Sequence, residues 1–217
     1  MIKVTPPKAA IFDMDGTLVD NMHIHHQAWM EFIKEKELNI DATTFERDYH
    51  KGTLIEVMQR FFPDLTTEEE LRAVGNEKEA LYRQIFTPHI QPLAGLIDFL
   101  ITLAQQGIPM GLATMGDQNN INLTLDGLGI RNYFHSTTGG HQVKKGKPDP
   151  EIFLLAAKKI GVSPSECLAF EDTQSGITSA LAAGMQVVGI ATQFSTKELK
   201  ALGCIAAIDD YTSIRLI

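Results

Sequence analysis

Ala9-Ala10-Ile11-Phe12-Asp13-Met14-Asp15-Gly16-Thr17-Leu18-Val19-Asp20 is the stretch on which the reading of the fold turns. Four apolar residues give way abruptly to two aspartates, a glycine and a threonine. A short apolar run of this kind suits a strand buried on both faces, as in a parallel sheet. The polar residues then stand at the carboxyl end of that strand, where open α/β sheets bind their ligands.

The same plan recurs down the chain. Met110-Gly111-Leu112-Ala113 stops at Thr114, Cys167-Leu168-Ala169-Phe170 stops at Glu171-Asp172, and Gln186-Val187-Val188-Gly189-Ile190 precedes Ala191-Thr192. Helical patterns lie between, over 95–105, 117–128, 151–160 and 174–183, and close at Gly107, Gly129, Gly161 and Gly184. Alternating strand and helix predicts an α/β fold built on a doubly wound parallel sheet. From Asp20 to Pro88 the pattern changes: Trp29, Phe32 and Ile33, then Leu54, Val57, Met58 and Phe61, then Leu71 and Val74 recur at helical spacing, with no strand signal among them. This predicts an all-helical insert, with residues 20–88 as one domain and 1–19 with 89–217 as the other. Thr66-Thr67-Glu68-Glu69-Glu70 reads as a helix start, hydroxyls capping and carboxylates facing the positive helix end.

A chain of 217 residues, 44% of them hydrophobic, suffices for one well-packed domain carrying a smaller insert. The formal net charge of -8, with Lys and Arg scattered, disfavours nucleic acid and favours a small-molecule partner. Cys167 and Cys204 lack C-x-x-C spacing and adjoin apolar segments, so they read as core thiols in a reducing compartment. Residues 1–7 lack the succession of a signal peptide, and no apolar run approaches the roughly 18 residues of a spanning helix. The expectation is a cytoplasmic protein with no membrane partner, acting as a monomer or weak oligomer.

Asp13, Asp15, Thr114, Glu171 and Asp172 end different strands and can converge in the folded chain. Lys147, in Gly146-Lys147-Pro148-Asp149-Pro150, can join them from a loop. Four carboxylates in one cleft repel one another unless a cation neutralises them, and an all-oxygen site suits Mg²⁺. Beside such a metal a carboxylate can attack phosphorus, while a lysine and a hydroxyl balance the charge on the transferring group. Asp15 would have to be protonated to assist the leaving alkoxide, and would then serve as base toward water.

Plainer readings exist for each residue alone. Asp-Gly pairs mark turns, a strand-end Thr can cap the next helix, and Lys147 has solvated counterparts in Lys144 and Lys145. Their joint order along the chain favours the chemical reading. His23-x-His25-His26 puts only His23 and His26 on one helical face, too few for a metal site, and Trp29 reads as core of the insert. Gly139-Gly140 before Lys144–Lys147 fails the spacing of a nucleotide-binding P-loop.

The run Asp13–Asp20 resembles D-x-D-G-T-x-x-D, the opening motif of the haloacid dehalogenase superfamily. Thr114 resembles its second motif and Lys147 its third. Glu171-Asp172 with Thr173-Gln174-Ser175-Gly176-Ile177 and Ala182-Ala183-Gly184-Met185 resembles its fourth, all in order across essentially the whole chain. The insert resembles the family's cap, and His25-His26-Gln27-Ala28-Trp29 with Lys51-Gly52 resembles the β-phosphoglucomutase branch, which holds mutases and sugar-phosphate phosphatases alike. The resemblance implies Asp13 as nucleophile, Asp15 as acid and base, and Thr114 and Lys147 on the phosphate. It implies Mg²⁺ held by Asp13, the Asp15 carbonyl and Asp172, with Glu171 supporting it directly or through water, and substrate contacts from His25 and Lys51. The mutases grip a second phosphate with an arginine after the cap's Lys-Gly and a Lys-Asn pair past the second motif. This chain has Thr53-Leu54-Ile55 and Asp117-Gln118-Asn119 there, and an Asp in that place repels a phosphate. The expected activity is therefore Mg²⁺-dependent hydrolysis of a small phosphorylated metabolite such as a hexose phosphate. A phosphoglucomutase-like mutase is the alternative; a phospho-accepting receiver domain, which lacks a helical insert, is the alternative from another class.

Overall fold

The computed structural model of this chain describes residues 2–38, 40, 41, 43, 45 and 52–217. After the short strand β1 (Ile2–Val4), the apolar run that opens the first motif forms β2 (Ala9–Phe12), with all of its residues buried. β3 (Met110–Ala113), β4 (Phe134–Thr138), β5 (Cys167–Glu171), β6 (Gln186–Ile190) and β7 (Ala206–Ile208) join it in one parallel sheet of order β4-β3-β2-β5-β6-β7. β8 (Ile214–Leu216) pairs with β1 in a separate two-stranded parallel sheet. The chain thus leaves β2 toward one edge of the main sheet and later returns on its other side, beginning with β5. This reversal puts the carboxyl ends of β3, β2 and β5 around one crevice.

The segment that follows β2, up to Pro88, holds α1 (Met22–Glu35), α2 (Leu54–Phe61) and α3 (Glu68–Phe86). Thr53 with Glu56 and Thr67 with Glu70 form capping boxes at the starts of α2 and α3, each satisfying two amide donors that a helix end leaves unpaired. Trp29, Phe32, Phe45, Val57, Met58, Phe61 and Leu71 close into a core for this segment. Val19, Ile24, Ala28, Tyr82 and Phe86, with Leu123 and Leu128 against them, form the apolar seam that fastens it to the rest of the molecule.

The remaining helices are α4 (Leu96–Gln105), α5 (Gln118–Gly127), α6 (Glu151–Ile160), α7 (Gln174–Ala182) and α8 (Thr196–Ala201). Side chains alternate across a strand, and β2 shows the consequence. Ala10 and Phe12 join the core made with α4 and α5, whereas Ala9 and Ile11 join the one made with α6, α7 and α8. Phe12 stacks on Phe170 of β5, ring centroids 4.6 Å apart, directly before the residues that enter the crevice. Both cysteines are buried and free, and no described helix is long and apolar enough to cross a membrane.

The alternation read from sequence is present, but four strands lack a counterpart in that reading. β4 is a polar edge strand, Phe134-His135-Ser136-Thr137-Thr138, in which only Thr138 is fully buried. Beyond Phe134, which packs edge-on against Phe12, it presents no apolar residue. β1, β7 and β8 are too short to present a period. β5 extends through Glu171, and α5 covers 118–127 because Asp117 is its cap, accepting from Asn120 N at 2.7 Å.

Candidate active site

Asp13 N donates to Phe170 O at 3.0 Å, which holds the first aspartate level with the end of β5. The chain then turns at Gly16, whose φ of +76° is a left-handed conformation open to glycine. A Cβ there would lie 2.0 Å from Asp172 Oδ2, so the missing side chain also lets the turn close against that carboxylate. Thr17 Oγ1 and Thr192 Oγ1 approach the two oxygens of Asp172 at 3.4 Å each, and Thr192 donates to Gly16 O at 2.7 Å.

Lys147 is buried, unlike the exposed Lys144 and Lys145. Its Nζ donates to Asp13 Oδ1 at 2.5 Å and to Glu171 Oε1 at 2.6 Å. The other oxygen of Glu171 accepts from Asp172 N and Thr173 N, both at 2.9 Å, and from Thr173 Oγ1 at 3.0 Å. Glu171 therefore ties the lysine to the start of α7. Burial would discharge Lys147, but Asp13 and Glu171 beside it hold its pKa well above the usual value for lysine. Burial pushes the Asp13 carboxyl well up, with Lys147 opposing and Glu171 and Asp15 adding to the rise. Asp172 is pushed up by burial and then by Glu171 and Asp13.

Asp13, Glu171 and Asp172 each offer a carboxylate oxygen, all within 4.8 Å of one another, and one lysine cannot balance three such groups. A buried all-oxygen set with excess negative charge fits a hard divalent cation such as Mg²⁺. Among the described residues this is the sole group of three or more metal-capable side chains gathered closely enough to share an ion. Lys51 lies outside the described residues.

Asp15 points to a different neighbourhood. Its Oδ1 accepts from Asn21 Nδ2 at 2.6 Å and lies 3.5 Å from His25 Nε2, long for a hydrogen bond. Burial alone would raise this carboxyl, but His25, the Asn21 bond and the Lys78 charge bring it below the ordinary value. This arrangement favours the ionised form of Asp15, the form of a base, whereas an acid role requires a proton. His25 stacks on Tyr82 with centroids 3.7 Å apart, and its Nδ1 is 3.4 Å from Lys78 Nζ.

Thr114 is buried, with its N donating to Thr138 O at 3.0 Å and its Oγ1 accepting from Gly116 N at 3.1 Å. It caps its own turn and leaves the helix start to Asp117. That aspartate is not an isolated negative charge: Arg83 of α3 donates to Asp117 Oδ2 at 3.2 Å and to Asn120 Oδ1 at 2.9 Å. Any repulsion from Asp117 is thereby weakened, while the guanidinium is itself engaged. Asp13, Asp15, Thr114 and Lys147 open on a cavity of about 750 Å³, closed on the far side by helical-segment residues that include His25 and Lys78. Trp29 borders it too, but is 3% exposed and packs edge-on against Phe32, Phe45 and Phe61.

Sequence reading did not single out Asn21, Lys78, Tyr82 or Thr192. Thr192 follows an apolar strand run just as Thr114 does, and Asn21 follows the first motif directly, so both had a signal. Lys78 and Tyr82 had none, being residues of a polar helix whose inward face only the packing reveals.

Comparison with known proteins agrees with this geometry. A family model for haloacid dehalogenase-like hydrolases matches residues 7–184. A fructose-1-phosphate phosphatase of Escherichia coli is 32% identical over 180 residues, covering 83% of this chain and 94% of that protein. A β-phosphoglucomutase of Bacillus subtilis is 32% identical over 191 residues, covering 84% and 83%. The crystal structure of a family IA, variant 3 hydrolase from Entamoeba histolytica superposes with a TM-score of 0.84 at 31% identity, covering 95% of each chain. With its strand-end carboxylates, Thr114 and Lys147 gathered around one crevice, this chain belongs to the haloacid dehalogenase-like hydrolases.

Proposed function

We propose that this enzyme is a Mg²⁺-dependent phosphatase that hydrolyses the phosphate ester of a small soluble metabolite, a sugar phosphate, through an aspartyl-phosphate on Asp13. The observation that carries this reading is the buried bridge from Lys147 to Asp13 and Glu171, beside Asp172, at the floor of a cavity with room for a phosphorylated sugar. Residues 1–19 and 89–217 serve as the catalytic core and 20–88 as the cap over it, in a cytoplasmic enzyme acting as a monomer or weak oligomer.

In the first half-reaction a carboxylate oxygen of Asp13 attacks phosphorus and the bond to the sugar oxygen breaks. Asp15, taking a proton from solvent water or from the substrate's own monoanionic phosphate as the substrate enters beside it, gives that proton to the leaving alkoxide. In the second, Asp15 takes a proton from water, the water oxygen attacks phosphorus, and the bond to Asp13 breaks to free phosphate. Lys147 and Thr114 steady the transferring group, and His25 and Lys51 contact the substrate from the cap. Asp13, the Asp15 carbonyl and Asp172, with Glu171 directly or through water, would hold Mg²⁺, which would supply positive charge to offset the crowded carboxylates and the phosphoryl oxygens.

Hydrolysis is favoured over mutase action because Thr53-Leu54-Ile55 stand directly after Gly52, where the mutases carry an arginine, and Asp117-Gln118-Asn119 stand where they carry a Lys-Asn pair. The mutase reading is kept by the likeness to β-phosphoglucomutase. The family match takes the place of the receiver-domain alternative. Incubating the enzyme with Mg²⁺ and phosphorylated sugars, including β-glucose 1-phosphate with and without a bisphosphate primer, separates the two. Free phosphate that disappears in Asp13→Asn supports the phosphatase; primer-dependent glucose 6-phosphate without free phosphate replaces it with the mutase.

A further inference from the structure

Glu56 does more than its place in a capping box requires. Its Oε2 accepts from Thr53 N at 2.5 Å, and Thr53 Oγ1 accepts from Glu56 N at 3.2 Å, which completes the box at the start of α2. The same Oε2 also accepts from Gly146 N, at 3.2 Å, on the core loop that carries Lys147. The capping boxes at α3 and α8 have the same local chemistry, yet the bonds described for Glu70 and Glu198 all come from their own helix starts.

The rest of the lysine loop is tied down from within the core. Lys144 N and Lys145 N donate to Glu151 Oε2 at 2.9 and 3.0 Å, and Asp149 N donates to Gly146 O at 3.0 Å. Of three successive amides, two are held by a core carboxylate and the third, next to Lys147, by Glu56 from the helical segment. The approach is tight: a Cβ on Gly146 would lie 2.3 Å from the carbonyl carbon of Gly52 and 2.5 Å from Thr53 N. Gly146 is not in the left-handed region, so glycine is needed there for proximity and not for conformation.

We propose that Glu56 is a positioning residue: by accepting from the Gly146 amide it seats the loop that delivers the Lys147 ammonium to Asp13, so the lysine is aligned when the helical segment is docked on the core. This rests on the phosphatase reading given above. Displacement of a reacting group by about 1 Å costs on the order of 10²-fold in rate, so a loop held at only two of three amides slows turnover without unfolding the protein.

The test uses the full chain with Mg²⁺ and p-nitrophenyl phosphate, whose leaving group needs no sugar contacts. Glu56→Ala is expected to lower kcat by about 10- to 100-fold with KM changed by less than about 3-fold. Glu56→Gln, which keeps an acceptor oxygen, restores most of the loss. Gly146→Ala, which blocks the approach sterically, reproduces it, whereas Glu70→Ala, which removes a capping box remote from the lysine loop, leaves kcat unchanged. Independently of turnover, amide exchange at Gly146 speeds up in Glu56→Ala while that at Lys144, bonded to Glu151, does not. Unchanged exchange at Gly146, or wild-type kcat in Glu56→Ala and Gly146→Ala, overturns the inference. Turnover that survives Asp13→Asn instead overturns the phosphatase reading, so the two failures are told apart.

Discussion

Lys78 Nζ donates to Glu79 Oε1 at 2.8 Å although the two are adjacent in α3, where consecutive side chains ordinarily diverge. Both are buried at the seam between the helical segment and the core, and Asn120 of α5 donates to the other Glu79 oxygen at 2.6 Å. Burial alone would raise the Glu79 carboxyl, but Lys78, His25 and the Asn120 bond hold it below its ordinary value. A carboxyl depressed in the folded state adds stability that is present above its unfolded pKa, about 4.3, and is lost as pH falls through the folded one. Glu79→Gln should therefore lower Tm at pH 7, and the gap to wild type should close as melts are taken from pH 5 down to pH 3. A gap that stays constant with pH would show that Glu79 does not titrate as a paired group.

Asp13→Asn should reduce phosphate release to background while far-UV circular dichroism stays as in wild type, because the change keeps the side chain's size at a buried strand end. Asp15→Asn removes both proton transfers and should slow turnover by roughly 10²- to 10⁴-fold. Full activity in either variant contradicts the role assigned to that residue.

Three buried carboxylates around one lysine should make the fold respond to a divalent cation. Adding Mg²⁺ at about 100 times its dissociation constant should stabilise the native state by about 2.7 kcal/mol, visible as a rise in Tm, and EDTA should reverse the rise and stop phosphate release. Asp172→Asn should blunt both responses. A Tm indifferent to Mg²⁺ and EDTA would remove the metal from this account.

Gly16 and Gly107 offer a controlled comparison, with φ of +76° and +68°. An alanine at either position meets the same left-handed strain, about 1–2 kcal/mol. At Gly107 the new Cβ has nothing within 4 Å, whereas at Gly16 it would strike Asp172 Oδ2. Gly107→Ala should lose a few degrees of Tm and Gly16→Ala more, and only Gly16→Ala should also lose turnover and the Mg²⁺ response. Equal activities in the two variants would show that the turn against Asp172 has no functional part.

The central strands were legible because their signal is local. Ala9–Phe12, Met110–Ala113 and Cys167–Phe170 are buried on both faces, which forces a continuous apolar run, and each run breaks where the chain meets the crevice. β4 escaped because an edge strand can stay polar and still hydrogen-bond. The protonation of Asp15 also escaped, since it depends on Asn21, His25 and Lys78 arriving around it, and only Asn21 is close in sequence.

Sequence by itself determined the doubly wound sheet, the family and the carboxylates, hydroxyl and lysine that end its strands and loops, because burial period and motif spacing are written residue by residue. Tertiary structure alone decided which charges pair: Lys147 with Asp13 and Glu171, Arg83 with Asp117, and Glu56 with the Gly146 amide. A lysine or glutamate on a polar helix reads the same whether it faces water or a seam, and only the docking of the helical segment on the core removes the water and makes those pairings count.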